Sequence, residues 1–306
     1  MDINSYTPKY GGLHGRSLYS LEGYSPEEIY EILYAARLLK MKQQVGERQT
    51  SLLGKEVLLV TKNYFSSARI AFEIAVKQLC GTAITLPLAG TQIEALVEDA
   101  DFLPAIERYG VDGIVVNTED WRDAKLLSSN APFPVIGAHG HTGPCLALAA
   151  ILTCWEKFGK LKDVSIGIVG NMRAHNFILQ AAVKCGMKVN AIGPENCLPT
   201  DDDVASSAIY ATLKTFEDPY LGLKDCNAVF VTAGDDLGEE YFVTEDVLDV
   251  TAPNSVFLHP LPVNRLTEAE SAVCDGPRSA MLDMAENLLH VEKAALALLL
   301  GKPINS

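Results

Sequence analysis

The sequence predicts an α/β protein made of two doubly wound parallel-sheet domains joined by long helices. Short apolar runs of strand type alternate with segments of helical spacing along most of the chain. The alternation falls into two series that part near residue 150, where a long apolar helix covers 144–158. The 306 residues suffice for two domains of ordinary size.

The elements follow in order. Ser25-Pro26-Glu27-Glu28 is a helix start, with a serine N-cap, a proline at the first helical position and a glutamate that completes a capping box. Ile29, Leu33, Ala36 and Leu39 follow at helical spacing, and the helix should end near Gly46. Glu56 to Val60 is a short run of the kind buried in a parallel sheet. Next come helix over 67–80, strand over 82–87, helix over 92–108, and strands over 113–117 and 134–137. After Gly159 the second series runs strand Val164 to Val169, helix 173–185 closed by Gly186, and strand 188–193. Val229 to Thr232 and Val256 to His259 add strands, and 281–300 is a strongly apolar helix. The expected domains are therefore 1–143 and 144–280, with a C-terminal helix over 281–303 packing back on the first. Right-handed βαβ units place ligands beyond the carboxyl ends of the strands, here facing a cleft between the domains.

Composition narrows the function. A chain that is 48% apolar and 21% charged is a globular protein, and a net charge of -14 argues against nucleic acid or anionic membrane as partner. Seven cysteines are scattered with no CxxC pair, which favours reduced thiols in a cytoplasmic protein over disulfides or a zinc site. The opening MDINSYTPKYGG has no secretory pattern, and no apolar run is long enough to span a bilayer.

Several segments, in order, resemble the aspartate and ornithine carbamoyltransferase (transcarbamylase) family. They are Ser20-Leu21 before the capped helix, Lys55 to Leu59, Arg69-Ile70-Ala71-Phe72-Glu73, Pro134-Val135-Ile136, and Pro144 to Ala149. Asp218-Pro219-Tyr220, His259-Pro260-Leu261-Pro262, Asp275 to Ser279 and Ala285 to Ala294 continue the series, so the likeness spans about 17–300. It implies a carbamoyl-phosphate domain, an amino-acid domain, a homotrimer with interfacial active sites, and no metal or organic cofactor. In that family arginines, backbone amides and a histidine neutralise the phosphate and polarise the carbonyl, because a dianionic leaving group and a developing oxyanion need fixed donors.

Those donors are largely replaced here. The family's Ser-x-Arg-Thr-Arg loop resembles Phe65-Ser66-Ser67-Ala68-Arg69, so Ser67 stands where the first arginine would be, while Arg69 keeps a position that is mainly a structural ion pair. Asn117-Thr118 occupies the place of a second phosphate arginine, and Leu288 that of another. His-Pro-x-Gln reads Gly143-Pro144-Cys145-Leu146, without the histidine or the glutamine. Helix-start amides beside Ser66 and Ser67 retain only a weak anion site. Losing one transition-state donor costs about 2.7–4 kcal/mol.

In the amino-acid half, the family's Asp-x-x-x-Ser-Met-Gly falls on Thr232 to Gly238, which replaces its aspartate and introduces Asp235 and Asp236. That pair reads either as an amine- or guanidinium-binding site or as a solvated loop with Asp236 as N-cap. His259-Pro260-Leu261-Pro262 is intact; in the family it turns through a cis Leu-Pro bond and offers carbonyls to the ligand's amino group, and it is equally a turn the fold requires. Arg265 joins His259, Pro260 and Leu261 as an expected ligand contact. Asn176, after Arg173 and His175, matches a position binding the amino-acid portion, against simple helix capping. His139 and His141 lack a third metal ligand at motif spacing, and Gly170-Asn171 lacks the rest of a dinucleotide fingerprint. Gln92 matches a loop that the family lends to a neighbouring subunit.

The resulting expectation is a family member that binds a small amino-acid-like metabolite, or serves as an assembly partner, without ordinary carbamoyl transfer. One alternative is a repurposed enzyme acting on an amino acid or amide, with His139, His141, His175, Asp235 and Asp236 as catalytic candidates. Another is a carbamoyltransferase with an altered donor site, a cation being supplied from elsewhere.

Overall fold

The computed structural model describes residues 12–62, 67–88, 93–118, 120–138, 143–174, 176–234 and 237–301, for Ser67 the backbone only. The chain is an α/β protein that divides into two compact units. One is Leu146–Asn287; the other joins the residues up to Cys145 to those from Leu288 onward.

In the N-terminal unit, α1 (Pro26–Gln44) opens as its residues dictate. The Glu28 backbone N–H donates to Ser25 Oγ at 3.2 Å, and the Ser25 N–H donates to Glu28 Oε2 at 2.9 Å. The helix stops at Gly46, which takes φ +73°. Strands β1 (Glu56–Thr61), β2 (Thr82–Pro87), β3 (Val111–Asn117) and β4 (Val135–Gly137) form one parallel sheet in the order β2-β1-β3-β4. The inner strands β1 and β3 are buried along nearly their whole length, whereas β2 is an exposed edge. Helices α2 (Ser67–Gln78), α3 (Ile93–Glu98), α4 (Phe102–Arg108) and α5 (Trp121–Asn130) make the crossovers. The single helix expected over 92–108 is thus two. Pro104 has no N–H to donate to Ala100, and its ring crowds that carbonyl, so the chain breaks at 99–101 and restarts.

The long helices α6 (Pro144–Phe158) and α12 (Met281–Leu299) each contain a unit boundary. At the end of α12, the Leu299 carbonyl accepts from Gly15 N–H at 3.0 Å. Leu300 fills the space beside Gly113, where an added Cβ would lie 2.6 Å away.

The second unit holds β5 (Ser165–Val169), β6 (Lys188–Ile192), β7 (Leu213–Phe216), β8 (Ala228–Val231) and β9 (Val256–Leu258) as a parallel sheet, ordered β7-β6-β5-β8-β9. Around it lie α7 (Phe177–Lys184), α8 (Asp201–Ser207), α9 (Pro219–Leu223), α10 (Glu245–Leu248) and α11 (Ser271–Asp275). Helix α7 starts later than the expected residue 173, because Asn171 Oδ1 accepts from Ala174 N–H at 3.1 Å and holds a turn there. Val169, Ile192, Val229, Val231 and Phe257 anchor this core.

Each sheet has one place where successive connections run off in opposite directions, between β1 and β3 and between β5 and β8. Crevices at such places, beyond the strands' carboxyl ends, are where open α/β sheets hold ligands.

Candidate functional site

At the first switch point, Thr61 of β1 lies in register with Asn117 of β3. The Lys62 N–H donates to the Asn117 carbonyl at 3.0 Å. Asn117 is 2% exposed, and neither Oδ1 nor Nδ2 has a hydrogen-bond partner among the described residues. Among the described residues, Lys62 brings a cation to this strand end; its Nζ is 3.5 Å from Oδ2 of the buried Asp123 on α5. Leu288 is buried on α12. Arg69, in the first turn of α2, is engaged by Glu73, with Nε–Oε1 at 3.0 Å and NH2–Oε1 at 2.9 Å, and Thr85 Oγ1 donates to the same oxygen. That is the structural ion pair the resemblance implies.

At the second switch point, the Thr232 N–H donates to the Val169 carbonyl at 2.9 Å. Gly170 adopts φ +154°, and a Cβ there would sit 1.7 Å from Thr232 Oγ1, so only glycine fits this approach. Beyond β9 the chain turns through His259, Pro260 and a cis Leu261–Pro262 bond, as the motif implies. His259 is fully buried; its Nδ1 is 2.5 Å from the Pro260 carbonyl, and its Nε2 is 3.2 Å from Glu268 Oε2. The second contact has ion-pair distance without the direction of a good hydrogen bond.

Glu268, absent from the sequence reading, organises this region. Its Oε1 accepts from Gly234 N–H at 2.7 Å and its Oε2 from Asn264 N–H at 2.6 Å. Burial raises its carboxyl pKa, but His259 and these two amides outweigh burial and leave it below the ordinary value. One ionised carboxylate therefore ties the loop after β8 to the turn after β9. The only sequence signal was an acid nine positions beyond His259, too distant for any local pattern.

Asn176 occupies the N-cap position of α7, yet its side chain makes no capping bond and is exposed, so simple capping does not account for it. Arg265 is exposed and held in a two-pronged pair with Asp275, at 2.6 and 2.8 Å. Ser66, Gln92, His139, His141, His175, Asp235 and Asp236 lie outside the described residues, as does the Ser67 side chain. Among the described residues no group of three His, Cys, Asp or Glu side chains could hold a metal ion. An open cavity of about 360 Å³, lined by Arg16, Tyr19, Trp121 and Lys125 among others, includes none of the residues considered above.

Two parallel sheets with their switch points and a cis Leu-Pro turn define a two-unit α/β protein. The comparisons sharpen this. Residues 16–156 match the model of the aspartate/ornithine carbamoyltransferase carbamoyl-P binding domain, and residues 162–299 match that of its Asp/Orn binding domain. The chain is 33% identical to the ornithine carbamoyltransferase of Pyrococcus abyssi over 311 residues, covering 94% of this chain and 97% of that one. The solved ornithine carbamoyltransferase of Pyrococcus furiosus superposes with a TM-score of 0.84 at 30% identity, covering 94% and 98%. Aspartate transcarbamoylase from Trypanosoma cruzi, solved with carbamoyl phosphate and aspartate, shares the fold at 19% identity, with a TM-score of 0.82 over 96% of this chain and all of that one. The chain belongs to the aspartate/ornithine carbamoyltransferase family.

Proposed function

We propose that this family member binds an amino-acid-like small molecule and does not carry out ordinary carbamoyl transfer, because its donor half has lost the groups that hold carbamoyl phosphate. The observation that carries the reading is the first switch point. Where the resemblance places phosphate arginines, the chain has the buried, unpartnered amide of Asn117 and the buried side chain of Leu288. Charge-assisted hydrogen bonds contribute about 1.5–3 kcal/mol each, so a site without them holds a dianion poorly. The amino-acid half keeps its scaffold in the exposed Asn176 and the loop His259-Pro260-Leu261 braced by Glu268.

Calorimetry with carbamoyl phosphate and with a bisubstrate phosphonate tests the reading. Neither should bind in the micromolar range, and tight binding of either overturns it. A second reading has one observation in its favour. Lys62, paired with Asp123 at only 3.5 Å, is a cation at the right strand end and supplies charge to an altered donor site. Citrulline or carbamoylaspartate formation that disappears in Lys62→Met would decide for this reading over the first.

Homotrimeric assembly belongs to the same proposal. Ile70 and Ile74 on α2 and Ile84 on the β2 edge are 54%, 40% and 46% exposed, and the Thr85–Glu73 bond holds these two elements side by side. Light scattering should give the mass of three chains. A cytoplasmic location is supported by cysteines that are all free thiols.

A further inference from the structure

We propose that Asn117 recognises an uncharged carboxamide or ureido group at the carboxyl end of β3. The inference rests on the proposed reading of the donor half and names the ligand chemistry that half would take. Asn117 ends an inner strand at the switch point of the N-terminal sheet, in register with the buried Thr61. Its carbonyl is satisfied by the Lys62 N–H at 3.0 Å, so the unused capacity lies entirely in the side chain. Both side-chain polar atoms are buried without a partner. Buried amides in folded proteins almost always find partners, and one that finds none among the described residues points to a partner from outside.

The chemistry of that partner follows from the amide. Asn offers one acceptor and two donors in a plane. A carboxamide or ureido group presents a donor and an acceptor side by side and pairs with both. A phosphate or carboxylate presents acceptors only, setting Oδ1 against a lone pair. The neighbouring groups do not reverse this preference. Lys62 is balanced by the carboxylate of Asp123 at 3.5 Å, and the Thr118 hydroxyl donates to the Asp120 carbonyl at 3.1 Å. The described groups of the strand end thus favour polarity without charge.

The test uses the full chain and three probes in calorimetry: L-citrulline, which carries a ureido group, L-ornithine, which lacks one, and carbamoyl phosphate. Wild type should bind citrulline more tightly than ornithine. Asn117→Leu, of similar volume, should weaken citrulline about tenfold or more, the scale of a lost buried hydrogen bond, and leave ornithine unchanged. Asn117→Asp, which has no donor when ionised, should do the same and serves if the leucine variant does not fold. Thermal melts of each variant control for folding, and Asn117→Leu should melt no lower than wild type, since it removes unpaired buried atoms. Citrulline affinity indifferent to both substitutions, or absent in folded wild type, overturns this inference alone. Tight binding of carbamoyl phosphate overturns the functional reading and this inference with it.

Discussion

Replacing Glu292 by glutamine should change how stability depends on pH. Glu292 lies on α12 with no exposed surface, and neither carboxylate oxygen has a hydrogen-bond partner. Burial alone raises its pKa well above the ordinary 4.5, so the folded chain gives up this proton less readily than the unfolded one. Its neighbour Cys145 is likewise held as a thiol, by burial first and then by Glu292. Below pH 4.5 the acid is protonated in both folded and unfolded chains. As pH rises from there toward the raised folded value, the unfolded chain ionises and the folded chain does not, so stability falls. The slope is about 1.4 kcal/mol per pH unit.

Two neighbours on the same helix set the window. Burial, then Lys293 and Lys40, lower His290 from 6.5 to about 4, so its contribution rises between those values and opposes that of Glu292. Burial lowers Lys293 from 10.5 to about 8, so its contribution rises with pH only above about 8. Between pH 6.5 and 8, Glu292 acts without either. Wild type should lose up to about 1.4 kcal/mol per pH unit there relative to Glu292→Gln, for as long as the folded carboxyl keeps its proton. Each such unit lowers Tm by about 3–6 °C for a unit of this size. Chemical denaturation and thermal melts of both proteins over pH 5.5–8 read the difference directly. Parallel curves for the two proteins would refute the assignment of a neutral buried acid.

Glu268→Ala should lower Tm, because the two backbone amides lose their acceptor, at about 1.5–3 kcal/mol for each charge-assisted bond, and His259 loses the carboxylate beside it. With its pKa depressed, Glu268 stabilises the wild type above the ordinary carboxylate range, and that contribution disappears as pH falls through the folded value, so the variant's deficit should shrink in acid. Gly170→Ala should cost about 3 kcal/mol through its clash with Thr232, and Thr232→Ala should restore part of the lost Tm. Full destabilisation that Thr232→Ala does not relieve would place the cause elsewhere. Ser67→Arg with Asn117→Arg should raise carbamoyl phosphate affinity at least tenfold by calorimetry, and no gain would argue against charge as the missing element.

The parts of the fold that were legible in the sequence carry their signal locally. The Ser25-Pro26-Glu28 capping box and the apolar runs of β1, β3 and β5 express helix starts and buried parallel strands within a few residues. Helix α5 escaped notice because its buried face is only Asp123, Ala124 and Leu127. Strand β7 at the sheet edge is half exposed and lacks a continuous apolar run. Pro104 carries a local helix-breaking signal of its own, which outweighs the helical spacing of 92–108. At the site, the strand-end position of Asn117 followed from the pattern, but its unsatisfied amide is a property of packing that no local sequence reveals. Glu268 was invisible for the same reason, since its partners come from the loop after β8 and from the far end of its own turn.

The similarity to ornithine carbamoyltransferases and the proposal of changed chemistry are compatible because they rest on different residues. Identity of 33% over nearly the whole chain goes with a shared scaffold. In this chain buried strands, a glycine at 170 that tolerates no Cβ and the Leu261–Pro262 turn belong to that scaffold, and substituting such positions costs stability whatever the site does. On the proposed reading, donor recognition rests on a few guanidinium groups, and having Ser67, Asn117 and Leu288 in their places would leave the cores intact. Fold comparison is therefore nearly blind to the loss of a donor site, and the charge at the end of β3 decides between the two readings. A dianion requires cations there, whereas the described residues of that strand end are a neutral amide and a lysine paired with Asp123.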